Sequence, residues 1–542
     1  MKRRQAIKVT SIGAIGLSAS ISSSCSKNTY SFNHGVASGD PLEDRVILWT
    51  RVTPQKAGPL EAILEISENE NFSKIVYSKK LQTSSLSDYT IKYDFLAKQY
   101  CDSDNGFFYR FKAGNSISEI GKSKTFSKDT LSAKIGVFSC SNFPAGYFNA
   151  YQAAAEKKDL DLWLHLGDYL YEYPMGGYAT DNAKKLGRTP NPAHEMITLS
   201  DYRQRHAQYK LDQGSKALHK HAPLIAVWDD HEFSNDAWKR GAENHSEDGS
   251  EGDFFARRSA AIKAYYEWMP IREQQNKRII FREFKIGKLI HLIMLDTRQY
   301  GRDKQLQPKD YFSKSGFNQA KFYNDLNSEN RELLGAEQLS WIENSVLKSN
   351  APWTIFGQQV LMAKLKFPDL SKMLKTEEIP DFLKPYLKFL GLGIPSNLDA
   401  WDGYPAARNN LYQLMKSAKK EFISLAGDTH NSWVSELENQ SGGKVGIELG
   451  TPSVTSPGIT DVLNLDEDKF VDSIVKINKE LQWMDPSNRG YLFLDCLEDK
   501  IIASFNYIKE LNNINAEISS SQSFVIYREG LKLEKIKPSS IK

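Results

Sequence analysis

The sequence predicts a layered α/β protein preceded by a small all-β domain of the fibronectin or immunoglobulin kind. Three observations predict it. Between about residues 30 and 130, short runs rich in Val, Ile, Tyr and Phe are separated by polar turns, the spacing of a small β-sandwich. From Lys134 onward, apolar strands alternate with helical stretches, the pattern of a layered α/β domain. Those strands repeatedly stop on a polar, ligand-type residue, and open α/β sheets bind their ligands at the carboxyl ends of strands.

A chain of 542 residues exceeds one ordinary core, because domains run about 100–200 residues. The expected division is an export segment at 1–29, the β-sandwich at 30–130 and the α/β domain at 131–542. Hydrophobic residues make up 40% and charged residues 25% of the chain, the balance of a globular protein. The net charge is only +3, with no dense Lys/Arg block in the body, so no nucleic-acid-binding surface is indicated.

The first residues read MKRRQAIKVTSIGAIGLSASISSSCS. A basic start precedes an apolar run too short and too polar to span a membrane. The adjacent arginines followed by Ala6, Ile7 and Lys8 look like a twin-arginine export signal. The expected partner is therefore export machinery. The expected location is periplasmic, cell-surface or extracellular. Cys25 is a candidate lipid anchor, although Ser22 stands where a lipoprotein box prefers Leu. Beyond it only Cys101, Cys140 and Cys496 remain, which allows at most one disulfide bridge.

The sandwich strands are expected in RVILWTRV, EAILEISE, IVYSKKL, TIKYDFLA and FFYRFKAG. In the second domain KIGVFSC is a strand ending at Cys140, YFNAYQAAAEKKD a helix, and DLWLHLGD a strand ending at Asp168. PLIAVWDDH is a strand ending at Asp229 and Asp230, DFFARRSAAIKAYYEWM a helix, and KLIHLIMLDT a strand ending at Asp296. GAEQLSWIENSVLKS and AARNNLYQLMKSA are helices. WTIFGQQ and EFISLAGDTH are strands, the latter ending at Asp428 and His430. KVGIELGT, GYLFLDCLE, KIIASFNYI and SFVIYREG suggest a second sheet packed on the first. The apolar, irregular segment from Leu361 to Asp399 is expected to be packed structure, with a lid over the site as the alternative.

Four short motifs carry the chemistry: FSCSN (138–142), GDYLYEY (167–173), WDDHEFSND (228–236) and AGDTHNSW (426–433). Together they offer the carboxylates of Asp168, Asp230 and Asp428, the imidazole of His430, the thiol of Cys140 and the phenol of Tyr171. Taken singly, each has an ordinary structural role: a buried small residue for Cys140, a core ring for Tyr171, a hydrogen-bonded histidine for His231, a turn for Asp168. Three carboxylates brought to one buried site repel each other, and an unpaired buried charge is costly. Metal ions remove that repulsion, so a metal centre is favoured over a general acid–base pair.

In this order the four motifs resemble those of the alkaline phosphatase D family, a branch of the metallophosphoesterases related to purple acid phosphatases. HGVASGDPLEDRVILWTRV, LDTRQY, GAEQLSWI, WTIFGQQV and WDGYPAAR are similar as well, so the likeness runs from about residue 31 to about residue 500. The resemblance implies a four-layer metallophosphoesterase-type β-sheet sandwich flanked by helices. It also implies a metal-dependent hydrolase of phosphomonoesters and phosphodiesters.

By the same resemblance Cys140, Asp168, Tyr171 and His430 hold one metal, and Asp168, Asp230 and Asp428 hold the other, with Asp168 bridging. His231 is then the acid or transition-state stabiliser, and Asn235 faces the phosphate. The strongly anionic thiolate, phenolate and carboxylate set points to Fe3+. The all-oxygen set points to Ca2+, in one or two copies, ahead of Mg2+, Mn2+ or Zn2+. Arg257, Arg258 and Arg298 are candidates for phosphate binding, with no choice among them. Two other readings stand beside this one: a phospholipase D-like phosphodiesterase with a larger leaving group, and a catalytically silent surface protein that binds phosphate or metal.

Overall fold

Two mixed β-sheets face each other across a single apolar interior. The computed structural model describes residues 30–102, 105–246, 248–370, 373–374, 387, 389–395 and 397–536. The export signal and Cys25 lie outside the described residues. Among these residues no helix is long and apolar enough to cross a membrane. Cys101, Cys140 and Cys496 are free thiols.

The seven-stranded sheet shows how the sequence builds layers. Its central strands, Ile290–Met294, Trp353–Gly357, Phe422–Ala426 and Lys444–Gly450, run parallel and are buried along almost their whole length. Successive side chains of a strand point to opposite faces. Leu292, Ile355 and Ile423 therefore enter the core between the sheets, while Ile293, Phe356 and Phe422 enter a second core on the outer face. Helices Ala336–Leu347 and Pro405–Ser417 close that outer core with Ile342, Val346, Leu411 and Met415.

The ten-stranded sheet supplies the other inner face. Ala133–Phe138, Leu162–His165, Leu224–Ala226 and Val36–Gly39 are successive parallel neighbours in it. Helices Asn149–Ala155, Leu199–Lys210, Gln213–His221 and Phe254–Trp268 pack with this sheet. Three of them start on side-chain caps, Gln213–His221 on the Asp212 carboxylate, which accepts from the Ser215 N–H. Thr198 and Asp201 form a reciprocal capping box, and the Asp253 carboxylate accepts from Phe255 and Ala256 N–H. The result is helix, sheet, sheet, helix: the four layers expected.

The sequence anticipates the strands of residues 30–130 well, but their sheet partners lie elsewhere. Leu60–Ser67, Ile75–Thr83, Phe107–Ala113 and Gly121–Ser123 form one sheet. The facing strands Val36–Gly39, Val46–Arg51 and Thr90–Phe95 are the end of the ten-stranded sheet, which thus runs across the boundary near residue 130. Arg282 braces the same join. Its guanidinium holds buried Asp40 at 2.7 and 3.1 Å, and Asp40 also accepts from the Arg272 N–H at 2.7 Å.

The four closing strands depart from expectation. They divide between the two sheets rather than forming a second one. Lys444–Gly450 pairs with Phe422–Ala426, whereas Gly490–Cys496 pairs antiparallel with Ala133–Phe138 and is followed by Lys500–Ile508 and Ile518–Tyr527. The first parallel strand would otherwise leave an open edge. The described part of 361–399 is packed structure. Leu361, Leu365, Leu370 and Leu390 join Trp433 and Phe470 in one apolar cluster.

One buried group works against stability. Lys210 is 1% exposed, and its Nζ lies 2.6 Å from His219 Nε2 beneath the rings of Trp49 and Tyr169. No carboxylate pairs with it among the described residues, and burial lowers its pKa well below the ordinary lysine value. A base whose folded pKa is depressed takes up a proton more readily when unfolded, so stability rises with pH up to the ordinary lysine range. Lys210→Met should stabilise the chain at pH 7 by about 1–3 kcal/mol. His219 keeps the Tyr169 hydroxyl at 2.9 Å. The gain should shrink as denaturation is repeated towards pH 10. Equal melting of parent and variant at both pH values would contradict this.

Candidate metal centre

The loops that leave the carboxyl ends of five parallel strands meet where the sheets face each other. Ala133–Phe138 delivers Cys140, Leu162–His165 delivers Asp168 and Tyr171, and Leu224–Ala226 delivers Asp229 to His231. Across from them Phe422–Ala426 delivers Asp428 and His430, and Ile290–Met294 delivers Arg298. A bridge between Ser139 and Ser453 joins the sheets at this end.

Cys140, Asp168, Asp428 and His430 all have left-handed backbone, with φ between 54° and 66°. Only Gly, and to a lesser degree Asn and Asp, takes this conformation readily. Non-glycine residues held there cluster at functional sites. Gly167 (φ 114°) serves the same geometry, since a Cβ there would sit 2.4 Å from that of Asp229.

The donor atoms converge in three overlapping groups, within each of which the ligand atoms lie within 4.8 Å of one another. These are Cys140, Asp168 and His430; Asp168, Asp230 and His231; and Asp229, Asp230 and Asp428. Tyr171 completes the first. Its hydroxyl donates to Asp168 Oδ2 at 3.0 Å, lies 3.3 Å from His430 Nε2 and accepts from Ser456 at 2.7 Å. His430 Nδ1 donates to the Pro457 carbonyl at 2.9 Å, which leaves Nε2 with its lone pair turned to Tyr171, the usual state of a metal-ligating histidine. Asp229 is the addition: the sequence placed it at the strand end but not among the ligands.

Electrostatics shows what this cluster lacks. Burial first, and then the neighbouring Asp168 carboxylate, push the Cys140 thiol and the Tyr171 phenol well above their ordinary pKa. Burial raises Asp168 and Asp229 well above the usual carboxylate range and Asp428 to about 8. Asp168 Oδ1 and Asp229 Oδ2 are buried without a hydrogen-bond partner. Burial also holds His430 neutral, at about 3. A set of anionic donors that burial drives towards protonation, next to a neutral imidazole, fits bound cations. These would deprotonate the thiol and the phenol and satisfy the orphan oxygens.

Arg298 is one positive charge already present. It is fully buried, with Nε on Asp229, Nη2 3.1 Å from Asp428 and 3.5 Å from Asp230, and Nη1 2.5 Å from Asp399. Burial alone would raise the Asp230 carboxyl, but Arg298 and then His231 hold it at about 2. The other two arginines considered are tied elsewhere: Arg257 to Glu195, Glu251 and Tyr202, and Arg258 to the Lys239 carbonyl.

Two glutamates align the strand-end loops. Glu232 accepts backbone N–H groups from Asp168, Tyr169 and Asp229, which locks two loops together. Glu172 accepts from His231 Nδ1 at 2.8 Å and from the Asn235 backbone N–H at 2.7 Å. Burial would lower the His231 pKa, but Asp168, Asp230 and Glu172 together raise it well above the ordinary value. The Asn235 amide donates to Glu243 at 2.8 Å. Both glutamates stand inside the GDYLYEY and DDHE stretches, yet nothing in the sequence separates them from exposed acids.

A model of the PhoD-like phosphatase family matches residues 135–505, and a model of that family's N-terminal domain matches residues 18–127. The chain belongs to the PhoD-like phosphatase family. It is 33% identical to alkaline phosphatase D of Bacillus subtilis (strain 168) over 98% of this chain and 86% of that protein. A solved structure of PhoD superposes with a TM-score of 0.78 at 31% identity, covering 94% of this chain and 93% of that one. The four-layer architecture and the N-terminal β region of the family are those described above.

Proposed function

We propose that this phosphoric ester hydrolase acts outside the cytoplasm on phosphomonoesters and phosphodiesters, through a multinuclear centre of Fe3+ and Ca2+. The observation that carries the proposal is the convergence of Cys140, Asp168, Tyr171 and His430 beside the carboxylates of Asp229, Asp230 and Asp428. Cys140, Tyr171, Asp168 and His430 would hold the ferric ion. Asp168, Asp230 and Asp428 would hold calcium, with Asp229 close by. When bound, such cations supply Lewis acidity towards the phosphoryl oxygens and make water acidic enough to serve as nucleophile.

The chain's own groups account for the remaining chemistry. In hydrolysis a water oxygen bonds to phosphorus, the bond from phosphorus to the leaving oxygen breaks, and that oxygen gains a proton. His231, oriented by Glu172 through Nδ1, would give a proton from Nε2 or stabilise charge on the leaving oxygen. Arg298 keeps Asp230 ionised. Asn235 would bind a phosphate oxygen once its amide leaves Glu243. Export rests on the basic segment at 1–29, with the twin-arginine machinery as partner and Cys25 as the lipid-anchor candidate.

Elemental analysis of the purified protein, with its visible spectrum, tests the metals. Iron, calcium and a coloured tyrosinate band are expected, and a colourless protein with stoichiometric zinc would overturn the assignment. Hydrolysis of 4-nitrophenyl phosphate or its bis-ester should be measurable and should be lost on chelation. No turnover with any metal supplied would overturn the hydrolase reading.

A further inference from the structure

Beside the metal centre lies a cavity of about 340 Å³ that the hydrolytic chemistry does not use. Asp428 and His430 border both, so the cavity adjoins the place where a phosphate on the ligands would sit. The walls are apolar. Leu361, Leu365, Leu370, Trp433, Ile459 and Leu463 line it, drawn from the described part of 361–399, from Ser432–Glu438 and from the residues after Pro457.

Most of the polar atoms on the described walls are already engaged within the protein. Asn397 Oδ1 accepts the N–H groups of Asp399 and Ala400. Asp402 pairs with Arg408 and accepts from the Leu365 N–H. Thr429 Oγ1 accepts from the Trp433 indole, and Asn431 holds the Thr429 carbonyl and the Ile459 N–H. No Lys or Arg is among the described lining residues. A sugar, a nucleobase or a second phosphate would lose its hydration here and find few free partners on the described walls. An apolar group gains from burial alone. The volume lies at the low end of small-molecule sites, about 300–1,000 Å³. That suits one chain of modest length.

We propose that this cavity binds an unbranched alkyl substituent of a phosphodiester substrate. The enzyme would therefore favour phosphodiesters carrying an apolar chain over equally reactive polar ones. The inference rests on the hydrolase reading above and deepens it.

The test is a series of 4-nitrophenyl alkyl phosphates, from methyl to dodecyl, kept below micelle-forming concentrations. Water attacks phosphorus, the bond to 4-nitrophenolate breaks, and the alkyl phosphate is retained, so the reacting bond is the same throughout. kcat/KM should rise about fourfold per methylene while the chain is being buried, then level off once the cavity is full. Leu463→Trp should draw the octyl-to-methyl ratio towards one. Leu463→Ala should move the plateau to longer chains. A parent enzyme that turns over the methyl ester but shows a flat series overturns the cavity assignment alone. No turnover of any member, with metals supplied, overturns the hydrolase reading and this inference with it.

Discussion

Asp168→Ala should lower kcat by about 10³-fold or more without unfolding the chain. Asp168 is the residue shared by the thiolate-containing group and the Asp230–His231 group, so its loss disturbs both halves of the centre. Lewis-acid stabilisation of a phosphoryl transition state is worth several kcal/mol, and each 1.36 kcal/mol is tenfold in rate. The fold should tolerate the change because burial raises the Asp168 carboxyl well above its ordinary pKa. An acid whose folded pKa is raised disfavours the folded state once pH exceeds its unfolded value. In chelator at pH 7 the variant should therefore melt at or above the parent. Asp168→Asn keeps the side-chain shape and accepts the left-handed backbone, and should show the same loss of rate. Parent-like kcat in either variant would remove Asp168 from the site.

Arg298→Met should have the opposite profile, a loss of stability that added cation repairs. The guanidinium is buried among Asp229, Asp230, Asp399 and Asp428. Removing one partner of a buried ionic cluster costs about 3–5 kcal/mol, because the remaining charges are left unpaired. The metal-free variant should thus melt well below the metal-free parent. Calcium or manganese binds only the folded carboxylates, so its stabilising effect grows with concentration and should be larger in the variant. Identical melting curves for the two proteins in chelator would mean that Arg298 balances no charge there.

These two residues mark the limit of what sequence reveals. Asp168 was legible because it ends an apolar strand inside a short motif, and strand ends are where such sheets bind ligands. The same logic placed Cys140, Asp230, Asp428 and His430, the family resemblance placed Tyr171, and the structure brings them together. Arg298 was visible only as one of three candidate arginines. Its role depends on partners 68 to 130 positions away along the chain, which no local pattern encodes. Glu172 and Glu232 were hidden for a related reason, since each acts by accepting backbone N–H groups from other loops. The layer order was clearer than the sheet membership. Alternation marks which face of a strand is buried but not which strand lies beside it, so Val36–Gly39 and Gly490–Cys496 had no visible neighbours until the fold placed them.

The left-handed backbone at Cys140, Asp168, Asp428 and His430 has a consequence for how lineages of this protein change. Each is a position where another residue, most often glycine, would relax the chain, by about 1–2 kcal/mol at the cysteine and the histidine. Selection for heat resistance alone would therefore replace them early. If they hold the cations proposed above, continued demand for turnover keeps them in place. A descendant released from that demand should then drift at these four positions before its core.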